Sequence, residues 1–142
     1  MAKVHRALAH LFAGLVVLQF GLAGWGAFKT DYDKKFNDNN FGPHAILGSL
    51  MVLLALIILI VAAAGRWSPI TTRLSGALFG LMVVQFILGV TGASSSPLLG
   101  VLHAMNALAI ALVTYLLVKA TRARAGTGSI AAESAAVTPD HV

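Results

Sequence analysis

The sequence predicts an all-α fold: an integral membrane, up-down four-helix bundle built from two repeated helical hairpins. Three observations predict it. The chain of 142 residues is 58% hydrophobic and has a mean hydropathy of +0.84, which is too apolar for a water-soluble domain of this size. It contains four uncharged stretches, each close to the roughly 20 residues that cross a bilayer. The first and third stretches have similar sequences, which indicates an internal duplication.

The four predicted spans lie at about 7–28, 45–65, 75–93 and 98–118. The first is too long for the apolar segment of a typical signal peptide. It also lacks a clear small-residue cleavage site before Lys29, so we interpret it as a span. Residues 1–124 thus form one four-helix transmembrane domain. The segment 125–142 is rich in Ala, Gly, Ser and Thr and is predicted to be a disordered cytoplasmic tail.

The basic residues predict how the chain crosses the membrane, because cytoplasmic segments carry an excess of Lys and Arg. The side of both termini carries Lys3, Arg6, Arg66, Arg73, Lys119, Arg122 and Arg124. The other side carries Lys29, Lys34 and Lys35, offset by Asp31, Asp33 and Asp38. We therefore expect a multi-pass protein of the plasma membrane with both termini cytoplasmic. This topology accounts for the pI near 10.1, so nucleic-acid binding is not expected.

The internal repeat emerges when the chain is compared with itself at an offset of 66 residues. Eight of fifteen positions are identical, including Gln19 with Gln85, between the segments 13–27 and 79–93. The second and fourth spans align on His44 and His103 but match weakly elsewhere. In an up-down bundle, helices two and four run parallel and lie diagonally across the core. We therefore expect His44 and His103 to face each other across the bundle axis.

Two histidines inside the spans indicate a haem site, since histidine is costly in hydrocarbon and is rarely placed there without a partner. Two protein ligands are too few for a typical zinc site. They suffice for haem iron, because the macrocycle supplies the other four nitrogens. His44 and His103 are thus the predicted metal ligands of one haem b. The chain has no cysteine, which excludes covalent c-type attachment, so the haem would be non-covalent.

A haem between helices also requires small side chains close to its ligands. Gly48 lies one turn after His44, and similar small residues flank His103 on the same helix face. Glycines in the first and third spans would leave space for the haem beside those helices, at the depth of the two histidines. Asn106, one turn beyond His103, could bond a backbone carbonyl or orient a nearby group. The predicted cofactor-binding residues are Gly48, Gly100, Ala107, Gly24, Gly89 and Asn106.

The remaining polar residues of the spans are expected to be structural. Gln19 and Gln85 should form hydrogen bonds between helices. His10 and His5 are expected to be interfacial histidines, His10 without a partner at its depth and His5 at the lipid surface. Trp67 lies near the end of a span and is expected to be an interfacial anchor.

With these histidines on its second and fourth helices, the chain resembles the four-helix unit of bis-histidine membrane b-type cytochromes, most closely one half of heme A synthase. The resemblance covers roughly residues 7–120 and rests on the topology, the glycines, and the segments GPHAILGSL and GVLHAMNALA. It implies haem binding through His44 and His103. The catalytic half of heme A synthase has a glutamate one turn before the first histidine, where this chain has Phe41. The resemblance therefore implies a haem-holding or electron-passing role and gives no support for haem hydroxylation.

The chain is also similar to uncharacterised actinobacterial four-helix membrane proteins, which implies nothing firmer about activity. The sequence leaves two functions open. One is an electron-transfer cytochrome of the membrane, with one bis-His haem near the outer face and a redox partner. The other is a cofactor-free accessory or structural subunit of a larger, respiratory membrane complex. No catalytic residues are predicted, and haem absorbance of the purified protein would separate the two functions.

Overall fold

The computed structural model describes residues 1–33, 38–65, 67–92 and 96–136, with side chains described within 1–30, 40–65, 67–92 and 96–123. Within these ranges there are four long helices, a short 3-10 helix and no strand. The elements are α1 (Ala2–Asp33), η1 (Asp38–Phe41), α2 (Gly42–Ala64), α3 (Pro69–Gly92) and α4 (Pro97–Ala136). The predicted all-α fold with four long helices is confirmed.

All four helices are long and apolar enough to cross a membrane, at Ala2–Thr30, Gly42–Ala64, Pro69–Gly92 and Pro97–Ala123. The predicted spans fall within these segments except at residues 65 and 93. Large apolar side chains are exposed on every helix, among them Val17, Ile46, Val90 and Leu108. Such an apolar exterior is what a bilayer requires of a helix bundle, because lipid tails surround it.

The helix boundaries follow from proline and glycine. Pro69 and Pro97 are the first residues of α3 and α4, and Pro43 is the second residue of α2. Proline suits the first turn of a helix, because its missing N–H would have no partner there and its φ is already helical. The helix α3 ends at Gly92, whose φ of 131° is a conformation that side-chain-bearing residues rarely adopt.

The helices pack in a ring in chain order, α1 on α2, α2 on α3, α3 on α4 and α4 on α1. Among the described residues, no Cα atoms of α2 and α4 approach within 8 Å, so these two helices are diagonal. The short connections make consecutive helices antiparallel. The predicted diagonal placement of the second and fourth helices is therefore confirmed.

The bundle has two ends, for which we use two names. The loop end holds the α1–α2 and α3–α4 connections, and the terminal end holds the start of α1 and the α2–α3 connection. The buried apolar core occupies the terminal end and the middle. Its members are Ala9, Phe12, Val16, Met51, Ala55, Ile58, Leu78, Met82, Ile110 and Leu117.

The loop end is packed differently from the rest. No residue is buried in the four stretches 17–25, 42–50, 83–91 and 97–109, all of which the structure describes. Half-buried side chains, including both predicted ligands and both glutamines, line the interior there. The apolar core thus holds the bundle together below this region, and the two histidines and two glutamines lie above it.

Two residues at the terminal end differ from expectation. His5 is completely buried and Trp67 is nearly so, with their ring centroids 4.5 Å apart. His5 Nε2 lies 3.3 Å from Ser75 Oγ. The expected lipid-surface position of His5 was therefore wrong, and Trp67, just after the end of α2, packs against His5 inside the protein. The spacing explains this, since His5 continues the buried helical stripe of Ala9 and Phe12.

The helix α4 also extends farther than predicted. It continues to Ala136, so residues 125–136 are helical where the sequence predicted a disordered tail, and residues 137–142 lie outside the described part. The segment is rich in alanine, the strongest helix former. It extends an existing helix, so no new nucleation is needed.

Candidate functional site

His44 and His103 meet inside the loop end of the bundle. His44 lies in the first turn of α2 and His103 in the second turn of α4. Their ring centroids are 6.1 Å apart and their planes are inclined by 58°. Both residues are half-buried. The predicted approach of the two imidazoles across the bundle axis is confirmed.

This separation can be compared with what one shared metal ion requires. Two imidazole nitrogens that bind a metal from opposite sides, each at about 2 Å, place the ring centroids about 6 Å apart. The observed 6.1 Å agrees with this value. Tilted rings in direct contact also have centroids about 4.5–7 Å apart. The spacing is therefore compatible both with direct contact and with an atom between the rings.

The His44 ring is oriented by Gln19 of the neighbouring helix α1. His44 Nδ1 lies 3.2 Å from the backbone oxygen of Gln19, which accepts a hydrogen bond from the ring. The Gln19 side chain donates in return to the backbone oxygen of His44, at 2.8 Å. A hydrogen on Nδ1 leaves Nε2 with its lone pair. Metal-binding histidines usually have this arrangement, with the second ring nitrogen donating to a carbonyl.

His103 has the corresponding neighbour in the second repeat. The backbone carbonyl of Gln85, the repeat equivalent of Gln19, interacts with the His103 ring. His103 Nδ1 is buried, however, and has no hydrogen bond of standard geometry. Each histidine is thus paired with the backbone of the glutamine in its own hairpin. The contact is a hydrogen bond of 3.2 Å in the first hairpin, whereas His103 Nδ1 in the second makes no hydrogen bond of standard geometry.

Asn106 ties Gln85 to the site. Its side-chain amide donates to the Gln85 Oε1 at 2.7 Å and to the backbone oxygen of Leu81 at 2.9 Å. The predicted carbonyl contact of Asn106 is confirmed. So are the predicted interhelical hydrogen bonds of Gln19 and Gln85. These bonds join α1 to α2 and α3 to α4 at the depth of the histidines.

Breaking the Gln85–Asn106 hydrogen bond is expected to lower the free energy of unfolding by about 1 kcal/mol, since interhelical hydrogen bonds in membranes average about 0.6 and reach about 1.7 kcal/mol. A double-mutant cycle of Gln85→Leu and Asn106→Leu isolates this coupling. It can be measured by unfolding in mixed detergent micelles. The matched control cycle pairs Gln19→Leu with Asn106→Leu, which lie in different hairpins and should not couple. Equal coupling in both cycles would contradict the assignment.

The predicted small residues differ in what surrounds them. A Cβ added to Gly89 would lie 3.4 Å from His103 Cε1, and one added to Gly48 would lie 2.9 Å from the Gln19 Nε2. These two glycines border the histidines and their hydrogen bonds directly. A Cβ on Gly24 would meet no atom within 4 Å. Gly100 and Ala107 are half-buried beside His103 on α4, and their cofactor role stays a prediction.

His10 lies at the opposite end of the bundle and has a partner, contrary to expectation. Arg122 donates from Nε and Nη2 to His10 Nε2, both at 3.2 Å. His10 Nδ1 lies 2.7 Å from the backbone oxygen of Arg6. No pattern in the sequence indicates this contact, because the two residues are 112 positions apart.

Among the described side chains, the metal-ligand candidates of this site are His44 and His103. No group of three or more His, Cys, Asp or Glu side chains that could hold a metal ion occurs in the described part of the chain. A metal ion that needs three or four protein ligands therefore finds no such group there. Two facing imidazoles suit an ion whose other ligands come from a macrocycle.

Comparison with known protein families gives a match over half of the chain. The model of a family described as a family of unknown function (DUF6220) matches residues 19–92. The matched segment contains Gln19, His44 and Gln85 and ends before His103. No curated protein and no solved structure matches the chain.

Proposed function

The chain belongs to the DUF6220 family, and we propose that it is a membrane b-type haem protein that holds one haem between His44 and His103. The observation that carries this proposal is the 6.1 Å separation of the two rings across diagonal helices. The orientation of His44 supports it, because the Nδ1 bond to the Gln19 carbonyl leaves Nε2 as the ligand atom.

Further features of the loop end fit a haem. The buried Nδ1 of His103 has no hydrogen bond of standard geometry, and in the proposed site it would donate to the backbone of Gln85, which interacts with this ring. Gly89 borders the His103 ring, since a Cβ there would be in van der Waals contact with Cε1 at 3.4 Å. The stretches of helix around the two rings contain no buried residue. This favours a site in which a flat ligand would cover the half-buried side chains.

The proposed role is transfer of single electrons. A haem with two histidine ligands is six-coordinate and offers no open position for oxygen chemistry. Phe41, one turn before His44, packs with its ring against Gly26. An apolar ring thus occupies the position of the glutamate that marks the catalytic half of heme A synthase, in agreement with a haem-holding role.

The proposal includes an orientation in the plasma membrane. The terminal end carries most of the basic residues, which favours a cytoplasmic location for both termini. The histidine pair then lies near the outer face. A redox partner or a larger membrane complex would exchange electrons with the site. Cysteine labelling of single-cysteine variants in intact cells tests this orientation, since the natural chain has no cysteine to interfere.

A spectrum of the purified protein tests the proposal directly. The chain is produced with haem precursors, purified in detergent, and recorded in oxidised and dithionite-reduced forms. We expect about one haem per chain and the split bands of a low-spin b-type haem upon reduction. A pure, folded protein without haem absorbance would contradict the proposal. It would instead favour the cofactor-free subunit, for which the exposed glycine faces would serve helix packing.

A further inference from the structure

A cleft at the terminal end of the bundle is separate from the histidine pair. It is lined by Lys3, Arg6, Ala7 and His10 of α1 and by Arg122 of α4. Three of these five residues carry a permanent positive charge. None of the described side chains is a carboxylate, because the five acidic residues of the chain lie outside the described side chains. The charge of the cleft is therefore not balanced by any described group.

The Arg122–His10 contact holds one of these cations in place. His10 Nδ1 donates to the Arg6 backbone oxygen at 2.7 Å, so its Nε2 is free to accept from Arg122 at 3.2 Å. A histidine that accepts a hydrogen bond at one nitrogen and donates at the other is neutral. Arg122 uses two of its five N–H donors on His10, and three remain for a ligand. The guanidinium is thus oriented without being neutralised.

The surroundings of the cleft indicate the class of ligand. Leu11 is one turn from Ala7 on the same face of α1 and is half exposed, and Leu18 continues this face two turns deeper. An anion that binds in the cleft and carries an apolar chain would lay that chain along these leucines. Basic pockets between transmembrane helices bind phospholipid headgroups in this way.

We propose that this cleft binds the phosphate of an anionic phospholipid headgroup, with Arg6, Arg122 and Lys3 as donors. Arginine is well suited to phosphate because its planar group donates two parallel hydrogen bonds. The site lies at the opposite end of the bundle from the two imidazoles, so the proposal stands or falls independently of haem binding.

The test measures thermal unfolding of the purified protein in detergent while phosphatidylglycerol, phosphatidylcholine or inorganic phosphate is added. Phosphatidylglycerol should raise the unfolding temperature in a saturable way, because a ligand that binds only the folded state stabilises it. Phosphatidylcholine should not, since its headgroup carries no net charge. Inorganic phosphate should have little effect at the same concentrations, because it lacks the apolar chains.

The variants Arg122→Gln and Arg6→Gln should each weaken the apparent phosphatidylglycerol affinity about ten-fold, the effect of losing a charge-assisted hydrogen bond. Lys119→Gln is the matched control, because it removes a positive charge from exposed α4 surface outside the cleft. If Arg122→Gln does not fold, Arg6→Gln and Lys3→Gln carry the test. Equal stabilisation by phosphatidylcholine, or equal loss in Lys119→Gln, would overturn the proposal. Full stabilisation by inorganic phosphate alone would overturn the lipid assignment.

Discussion

Replacement of either His44 or His103 with alanine is expected to abolish the low-spin spectrum and to reduce the haem content to less than about a tenth of wild type. In the proposed site each ring would supply one of only two protein ligands, and no third His, Cys, Asp or Glu side chain groups with them among the described residues. The effect should therefore be equally large at both positions. Absorption spectra and a haem assay of the purified variants measure it.

The control for this prediction is His10→Ala. It removes a histidine from a predicted span at the opposite end of the bundle and should leave the spectrum unchanged. His103→Met tests whether loss of the spectrum reflects ligation alone, because methionine can replace histidine as an axial ligand and raises the reduction potential. A low-spin spectrum retained in His44→Ala or His103→Ala, at wild-type haem content, would contradict the site.

The second large effect is expected in the apolar core. Phe12→Ala should lower the free energy of unfolding by about 3 to 5 kcal/mol, the range found for large aromatic residues in well-packed interiors. Phe12 is completely buried and belongs to the core at the terminal end. Chemical unfolding in mixed micelles, followed by circular dichroism, measures the change.

Phe20→Ala is the matched control, on the same helix and two turns away. Its side chain is 45% exposed, and lipid tails can fill the space that a truncated side chain leaves. The loss of stability should be well below that of Phe12→Ala. Equal losses in the two variants would show that the core does not lie where the structure places it.

Much of the fold could be predicted because its determinants are local. Hydropathy over about 20 residues marks a span wherever it lies in the chain. The internal repeat predicted how the helices are arranged. The shared Gln19 and Gln85 imply two equivalent hairpins, which place the helices of His44 and His103 diagonally across the bundle. Their approach then followed from the topology of an up-down bundle.

What could not be predicted depends on contacts between distant segments. The contact of Trp67 with His5 requires the α2–α3 connection to lie against the start of α1, and no local pattern reveals this pairing. The Arg122–His10 contact joins α1 to α4, two helices that are far apart in the sequence. For Gln19 the sequence predicts a hydrogen bond to another helix, but not that the partner is His44. The partner of a polar side chain depends on the register of the neighbouring helices.

The unequal contacts of the two imidazoles have a consequence for how the duplicated chain has diverged. Turning the ring of His44 out of place breaks its bond to the Gln19 carbonyl, whereas turning that of His103 breaks no bond of standard geometry. The first hairpin therefore fixes the orientation of its imidazole by a hydrogen bond, and the second hairpin does not. If a ligand lies between the two rings, we expect the His103 ring to adjust to it more readily than the His44 ring.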